Sequence, residues 1–269
     1  MLPFFLYVDD MLIFGTSLQV VCETKKFLGS KFDMRDLGNT KVILGIRITT
    51  TLRIKLSQEH YVEKILRKFE HFKYKLVSTP CDPSSQLKKN KKHSAAQTEY
   101  AHIIRSQMYL VNFIRPDIAY TVGRLSRYTK SSNKNYYISI HRVVKYLRGT
   151  IYYGLCYIVF PSVLEEFSDA NWIFDLNKMK SISGYVFTLG GGVVSWKSTM
   201  QTCFTRFAME VEFIALEKTS FEAEWFRNLL VDIPLWMRLT LSVLCIVIAK
   251  LQLLRLRVKY LMGRTSISA

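Results

Sequence analysis

The stretch Phe4-Phe5-Leu6-Tyr7-Val8-Asp9-Asp10-Met11-Leu12-Ile13-Phe14-Gly15 decides how the chain is read. Two short runs of strand-forming residues flank two adjacent carboxylates, a pattern that predicts a β-hairpin with Asp9-Asp10 at its tip. Adjacent aspartates on an apolar hairpin repel each other and lose hydration unless a cation compensates them. Paired carboxylates are also what two-metal phosphoryl transfer needs, one ion activating the attacking oxygen and the other stabilising the leaving one. A solvated turn is the competing reading of the pair.

Outward from the hairpin, 41–48 and 52–56 read as a second strand pair around Thr49-Thr50-Thr51. Ser57 then reads as the N-cap of a helix running to about Phe72, with Tyr61, Ile65, Phe69 and Phe72 on one face. Two prolines and the run Lys88-Lys89-Asn90-Lys91-Lys92-His93 mark 78–98 as a linker. Three helices are predicted near 100–113, 116–128 and 136–148, the last stopped by Gly149. Strands follow at 163–167, leading into Asp169, and at 184–189 and 193–196, the last two joined by the turn Gly190-Gly191-Gly192. A long helix over about 209–230 offers Phe213, Leu216, Trp225 and Leu229 as core candidates. Strands followed by a helix predict an α+β chain with a layered C-terminal part.

Composition narrows the function. The chain has 269 residues, 38 Lys+Arg against 21 Asp+Glu, and a formal charge of +17. With 49% hydrophobic residues and only 12 Gly and 6 Pro, it is neither a disordered nor a collagen-like chain. So large a positive charge points to a polyanion, most commonly nucleic acid, although simple solubility accounts for it too. The five cysteines, at 22, 81, 156, 203 and 245, show no C-x-x-C spacing, so neither a disulfide framework nor a zinc knuckle is expected. A reducing, cytoplasmic or nuclear location is the expectation. The first residues lack a basic n-region, so no signal peptide is expected. The longest apolar run, 239–249, has eleven residues, against roughly 20 for a membrane span.

The motifs carry a resemblance that composition does not. Tyr7-Val8-Asp9-Asp10 with Met11-Leu12-Ile13-Phe14-Gly15 resembles the metal-binding hairpin in the palm of a reverse transcriptase. Phe32-Asp33-Met34-Arg35-Asp36-Leu37-Gly38, Leu44-Gly45-Ile46, Leu56-Ser57-Gln58, Tyr61-Val62-Glu63-Lys64-Ile65-Leu66 and Thr79-Pro80 are similar to the rest of that domain in copia-type LTR retrotransposons. Met108-Tyr109-Leu110, Arg115-Pro116-Asp117-Ile118-Ala119-Tyr120 and Tyr146-Leu147-Arg148-Gly149-Thr150 resemble the family's connection region. Ser168-Asp169-Ala170-Asn171-Trp172, Ser181-Ile182-Ser183-Gly184-Tyr185, Ser195-Trp196-Lys197-Ser198 and Glu210-Val211-Glu212-Phe213-Ile214-Ala215-Leu216 resemble its ribonuclease H. The ordered resemblance to the Pol polyprotein pattern covers about 1–236 of this chain.

The resemblance implies an RNA-directed DNA polymerase fused to a nuclease that cleaves the RNA of an RNA–DNA hybrid. It implies a partial palm and thumb over 1–77, a linker at 78–98, a helical connection at 99–161 and a truncated ribonuclease H-like layer at 162–236. Asp9 would ligate Mg²⁺ or Mn²⁺ with help from Asp10, beside Tyr7 and Val8 at the primer end. Asp169 matches the first nuclease metal ligand, and Glu212 the helix-borne one, whereas Glu210 reads as a solvated residue. Hybrid phosphates would be tracked by Lys64, Arg67 and Lys68 on the helix and by Lys88, Lys89, Lys91 and Lys92 on the linker, each of which also reads as a solvated cation. Trp172, Trp196 and Trp225 read as packing residues rather than base-stacking platforms.

The pattern also breaks. The family's polymerase uses a further palm aspartate well before the hairpin, and six residues precede Tyr7 here, so polymerase activity is expected to be absent. The family continues past Trp236 to a Cys-Asp-Ser-Gln segment that supplies the third nuclease carboxylate, yet 237–269 holds no Asp or Glu. Written ATT GTG ATA GCC AAG CTG CAA TTG, 246–253 reads Cys-Asp-Ser-Gln-Ala-Ala-Ile in another frame. With a similar choice of synonymous codons, 261–269 yields Asn-Gly-Lys-Asn-Glu-His-Ile-Arg in that same frame. The tail is therefore expected to be out of frame from near Trp236. Arg105 and Gln107 replace small or apolar residues of the family, and Arg206-Phe207-Ala208 replaces a Ser/Thr-containing stretch. Three functions follow: an incomplete polymerase and nuclease remnant, a non-enzymatic nucleic-acid-binding protein, or a residual Mg²⁺-dependent ribonuclease H. The last needs a substitute carboxylate, for which Asp175, expected on a loop, is the nearest candidate.

Overall fold

The computed structural model describes residues 4–15, 17–50, 53–69, 76–82, 97–129, 133–157, 164–175, 180–231 and 243–247. The described residues form a mixed α+β architecture of helices and three sheets. The chain divides into two compact units, 1–40 with 220–242, and 41–219 with 243–269.

In the first unit, β1 (Phe4–Tyr7) and β2 (Asp10–Ile13) pair antiparallel with Tyr7 opposite Asp10. The turn is therefore Val8-Asp9, one residue earlier than the sequence reading, because a two-residue connection matches the twist of paired strands. Val8 sits at φ 51°, a left-handed conformation that β-branched side chains resist. Helix α1 (Leu18–Lys31) buries none of its residues. Lys25 Nζ donates to Asp36 Oδ1 at 2.8 Å, and the Gly38 N–H donates to the same oxygen at 2.9 Å. This pins the Asp36-Leu37-Gly38 loop to the helix, and the Lys25 bond holds the Asp36 carboxyl below its usual range.

In the second unit, β3 (Val42–Ile43), β4 (Ile46–Thr50) and β5 (Ile54–Ser57) form an antiparallel sheet closed by β6 (Gly154–Tyr157). Helix α2 (Glu59–Lys68) starts after Gln58 rather than Ser57, because Ser57 is still paired in the sheet with Gly154. Its buried residues are Val62, Ile65 and Leu66. Tyr61 and Phe69 pack only at the margin of the core, and Phe72 lies outside the described residues. Helices α3 (Gln97–Phe113), α4 (Pro116–Ser126) and α5 (Lys134–Gly149) complete one core with α2. Pro116 takes the first turn of α4, where a missing N–H costs nothing, and Asn133 caps α5 by accepting the Tyr136 N–H at 3.1 Å. Arg105 is exposed, whereas Gln107 is fully buried.

Strands β7 (Leu164–Asp175), β8 (Lys180–Leu189) and β9 (Gly192–Met200) form an antiparallel meander. Gly190 and Gly191, at φ 57° and 75°, make the positive-φ turn between β8 and β9. Helix α6 (Ala208–Val231) follows, and β10 (Val243–Val247) then pairs parallel with β7. The expected core face of α6 holds only in part: Leu216 is half-buried, whereas Phe213, Trp225 and Leu229 are 62%, 55% and 41% exposed. Val211, Ala215, Thr219, Ala223 and Leu230 are buried instead. The helix is apolar on more than one side, so spacing alone does not choose the face. Trp172 is exposed as well, while Trp196 packs and donates from Nε1 to the Val111 carbonyl at 2.8 Å.

Candidate functional site

The hairpin presents Tyr7, Asp9 and Asp10 to solvent, with Tyr7 half exposed. Val8, 76% exposed, contributes no packing that would require its strained φ. The left-handed φ is instead what the tight Val8-Asp9 turn requires, and it leads the chain into Asp9 and Asp10.

In the second unit, Asp169 lies on β7 opposite Gly184 and is completely buried. Strand alternation puts it on the Phe167 side of the sheet, with Glu166 and Ser168 on the other. Glu212 is carried on the second turn of α6, where its Oε2 is buried without a hydrogen bond. That burial raises the carboxyl above its ordinary pKa. Glu210 is not merely solvated: its Oε2 accepts the Arg206 N–H at 2.7 Å and caps the start of the helix. Asp175 is not on a loop but ends β7 opposite Lys180.

Two residues escaped the sequence reading. Gln201, 1% exposed, donates from Nε2 to Ser183 Oγ at 2.7 Å and to the Val211 carbonyl at 2.9 Å. Glu166 is 1% exposed. Its signal was a charge at a position where the 164–170 strand otherwise buries its side chains, whereas Gln201 gave no signal at all.

Among the described residues, no group of three His, Cys, Asp or Glu side chains converges on a metal position. The oxygen donors of Asp169 and Glu212 nevertheless suit a hard divalent cation, and the buried Glu212 Oε2 lacks the hydrogen bond that would otherwise satisfy it. Lys64, Arg67 and Lys68 are exposed on α2. Arg67 pairs loosely with Glu63 at 3.8 Å, and Lys68 lies over the Phe69 ring. Lys88, Lys89, Lys91 and Lys92 lie outside the described residues. A cavity of about 470 Å³ between α3, α4, β5, β6 and β9 is lined by none of the candidate metal- or nucleic-acid-binding residues.

The family profile described as Reverse transcriptase (RNA-dependent DNA polymerase) matches residues 2–83. The chain is 36% identical over 240 residues to the retrovirus-related Pol polyprotein from transposon TNT 1-94 of Nicotiana tabacum, covering 86% of this chain and 18% of that protein. It is 33% identical over 232 residues to the Pol polyprotein from transposon RE1 of Arabidopsis thaliana, covering 84% and 16%. An uncharacterized mitochondrial protein of Arabidopsis thaliana is 33% identical over 227 residues, covering 82% of this chain and 92% of that protein. The chain thus spans less than a fifth of the length of the two Pol polyproteins. No solved structure matches it. With the hairpin of Asp9 and Asp10 inside the matched span, and identity sustained over most of its length, the chain belongs to the family of copia-type retrotransposon Pol polyproteins.

Proposed function

We propose that the chain is a remnant of the polymerase and ribonuclease H part of such a Pol polyprotein, with an incomplete nuclease centre. In this reading 1–77 derives from palm and thumb, 99–161 from the connection and 162–236 from the nuclease, with an out-of-frame tail at 237–269. The parent function is reverse transcription of element RNA and cleavage of the hybrid. Bound Mg²⁺ or Mn²⁺ would supply Lewis-acid stabilisation of phosphoryl oxygens. Asp9 and Asp10 would hold it at the hairpin, and Asp169 and Glu212 at the nuclease layer.

One observation carries the frameshift reading. Residues 237–269 as translated hold no Asp or Glu, and with the synonymous codons written above the other frame restores Cys-Asp-Ser-Gln across 246–250. The antiparallel meander of β7, β8 and β9 followed by the long helix α6 supports a nuclease-like layer.

A cleavage assay on an RNA–DNA hybrid in Mg²⁺, with Asp169→Asn as control, tests the proposal. No cleavage above the control is expected. Cleavage abolished by the substitution would instead establish a working nuclease. The second reading, nucleic-acid binding without chemistry, is favoured by the exposed Lys64, Arg67 and Lys68 on α2. It predicts salt-sensitive hybrid binding that weakens when the three are changed to Gln. Genomic sequencing settles the tail: 237–269 lying in the same frame as an intact upstream polymerase would refute the frameshift.

A further inference from the structure

Gln201 follows the end of β9 and precedes α6, and it is fastened at both ends of its own structure. Its backbone N–H donates to the Ser181 carbonyl at 2.8 Å. Its side-chain amide uses both protons, one on Ser183 Oγ at 2.7 Å and one on the Val211 carbonyl at 2.9 Å. Ser181 and Ser183 belong to β8, and Gly184, the next residue, is the strand partner of Asp169. Val211 belongs to α6 and immediately precedes Glu212. One buried amide thus ties the helix that carries one proposed ligand to the strand paired with the other.

Packing alone holds this junction weakly. The side chains that α6 buries near its start are Val211 and Ala215. An apolar contact between such residues permits sliding and rotation, whereas two hydrogen bonds from one planar amide define both distance and direction. A rotation of α6 by a fraction of a turn would carry Glu212 elsewhere, and the apolar side chains near the helix start that it would lift out are only the small Val211 and Ala215.

We propose that Gln201 is a positioning residue for Glu212: by bridging Ser183 and Val211 it fixes the start of α6 on β8, and with it the place of the Glu212 carboxylate relative to Asp169. The inference rests on the nuclease reading for its purpose but not for its geometry, and two measurements on the full chain separate them. The first is amide hydrogen exchange across the first turns of α6. Gln201→Leu is expected to speed exchange at 211–215 by about tenfold or more, a loss of one net buried hydrogen bond or more, while the amides of β7 stay protected. The second is the broadening of the Asp169 and Glu212 amide resonances by Mn²⁺, which reads weak binding. Gln201→Leu is expected to weaken that binding by about tenfold, the scale on which outer partners of metal ligands act.

Trp196→Phe removes a hydrogen bond at another part of the unit and serves as the stability control, expected to leave both readouts unchanged. An equal loss of Mn²⁺ broadening in Gln201→Leu and Trp196→Phe would overturn the inference, since Gln201 would then act only through stability. Unchanged exchange at 211–215 in folded Gln201→Leu would overturn it as well. If Gln201→Leu does not fold, Ser183→Ala decides: it removes one of the two acceptors, and an intermediate rise in exchange upholds the bridge while none refutes it. If the unmodified chain shows no Mn²⁺ effect that Glu212→Gln abolishes, the nuclease reading fails and the hydrogen exchange alone judges Gln201.

Discussion

Arg115 and Asp117 form a two-pronged buried ion pair, Nε to Oδ1 at 2.9 Å and Nη2 to Oδ2 at 2.8 Å, with side chains only 1% and 5% exposed. The same guanidinium donates to the Thr150 carbonyl at 3.1 Å and to its hydroxyl at 2.6 Å, and lies 5.7 Å from the rings of Tyr146 and Tyr153. Two stretches distant in sequence, Arg115-Pro116-Asp117 and Tyr146 to Thr150, are thereby one structural object. Burial and the Asp117 charge both push the Tyr146 phenol above its usual range, so it stays neutral and can donate.

Asp117→Asn leaves the buried guanidinium without its counter-charge. Loss of about 3–5 kcal/mol is expected, read from urea unfolding of the chain. Arg115→Lys should cost nearly as much, since an ammonium cannot reproduce the paired geometry. A cost under about 1 kcal/mol for either would show that water reaches the cluster.

Gln107 is buried with neither amide atom hydrogen-bonded. Gln107→Leu should therefore stabilise the helical core by about 1–3 kcal/mol, visible as a higher melting temperature. A lower one would mean that the amide is satisfied in solution.

Gly154 leaves no room for a side chain: an added Cβ would collide with the Leu56 carbonyl, a backbone atom that cannot rotate aside. Gly154→Ala is expected to destabilise by about 1–3 kcal/mol and to expose β6 to hydrogen exchange. Gly38→Ala has open space around it, and its cost should come only from φ 74°.

The Lys25–Asp36 bond gives a pH signature. Because the folded-state pKa of Asp36 lies below its unfolded value, the bond contributes stability above the ordinary aspartate pKa of about 3.9, and that contribution is lost as pH falls through the folded value. Carboxyl NMR should show Asp36 titrating low in the native chain. Lys25→Met should move it up, and no movement would exclude Lys25 as the main cause.

Local features were legible in the sequence and distant ones were not. The hairpin around Asp9 and the Gly190-Gly191 turn depend on a few adjacent residues, and both form. The pairing of β5 with β6 joins residues about a hundred apart, and the Arg115–Thr150 bonds join loop to helix end; no periodicity reports either. The register of α6 failed for another reason: Phe213, Trp225 and Leu229 outweigh Ala215 and Thr219 on any hydrophobic scale, yet the smaller residues are buried. At the candidate site, the family resemblance named Asp169 and Glu212 but was silent on Gln201, whose hydrogen bonds only the folded chain creates.

The bare hairpin governs how this polypeptide behaves in a test tube. Phe4, Phe5, Leu6, Tyr7 and Val8 are each about half exposed or more, on a ribbon that has two strands and both edges unpaired among the described residues. Such a ribbon is a template for its own kind, and chains will stack edge to edge there into oligomers as concentration rises. Light scattering that disappears when Leu6 is replaced by Lys would locate this stickiness, and the same substitution would yield the monomeric preparation that metal and nucleic-acid titrations require.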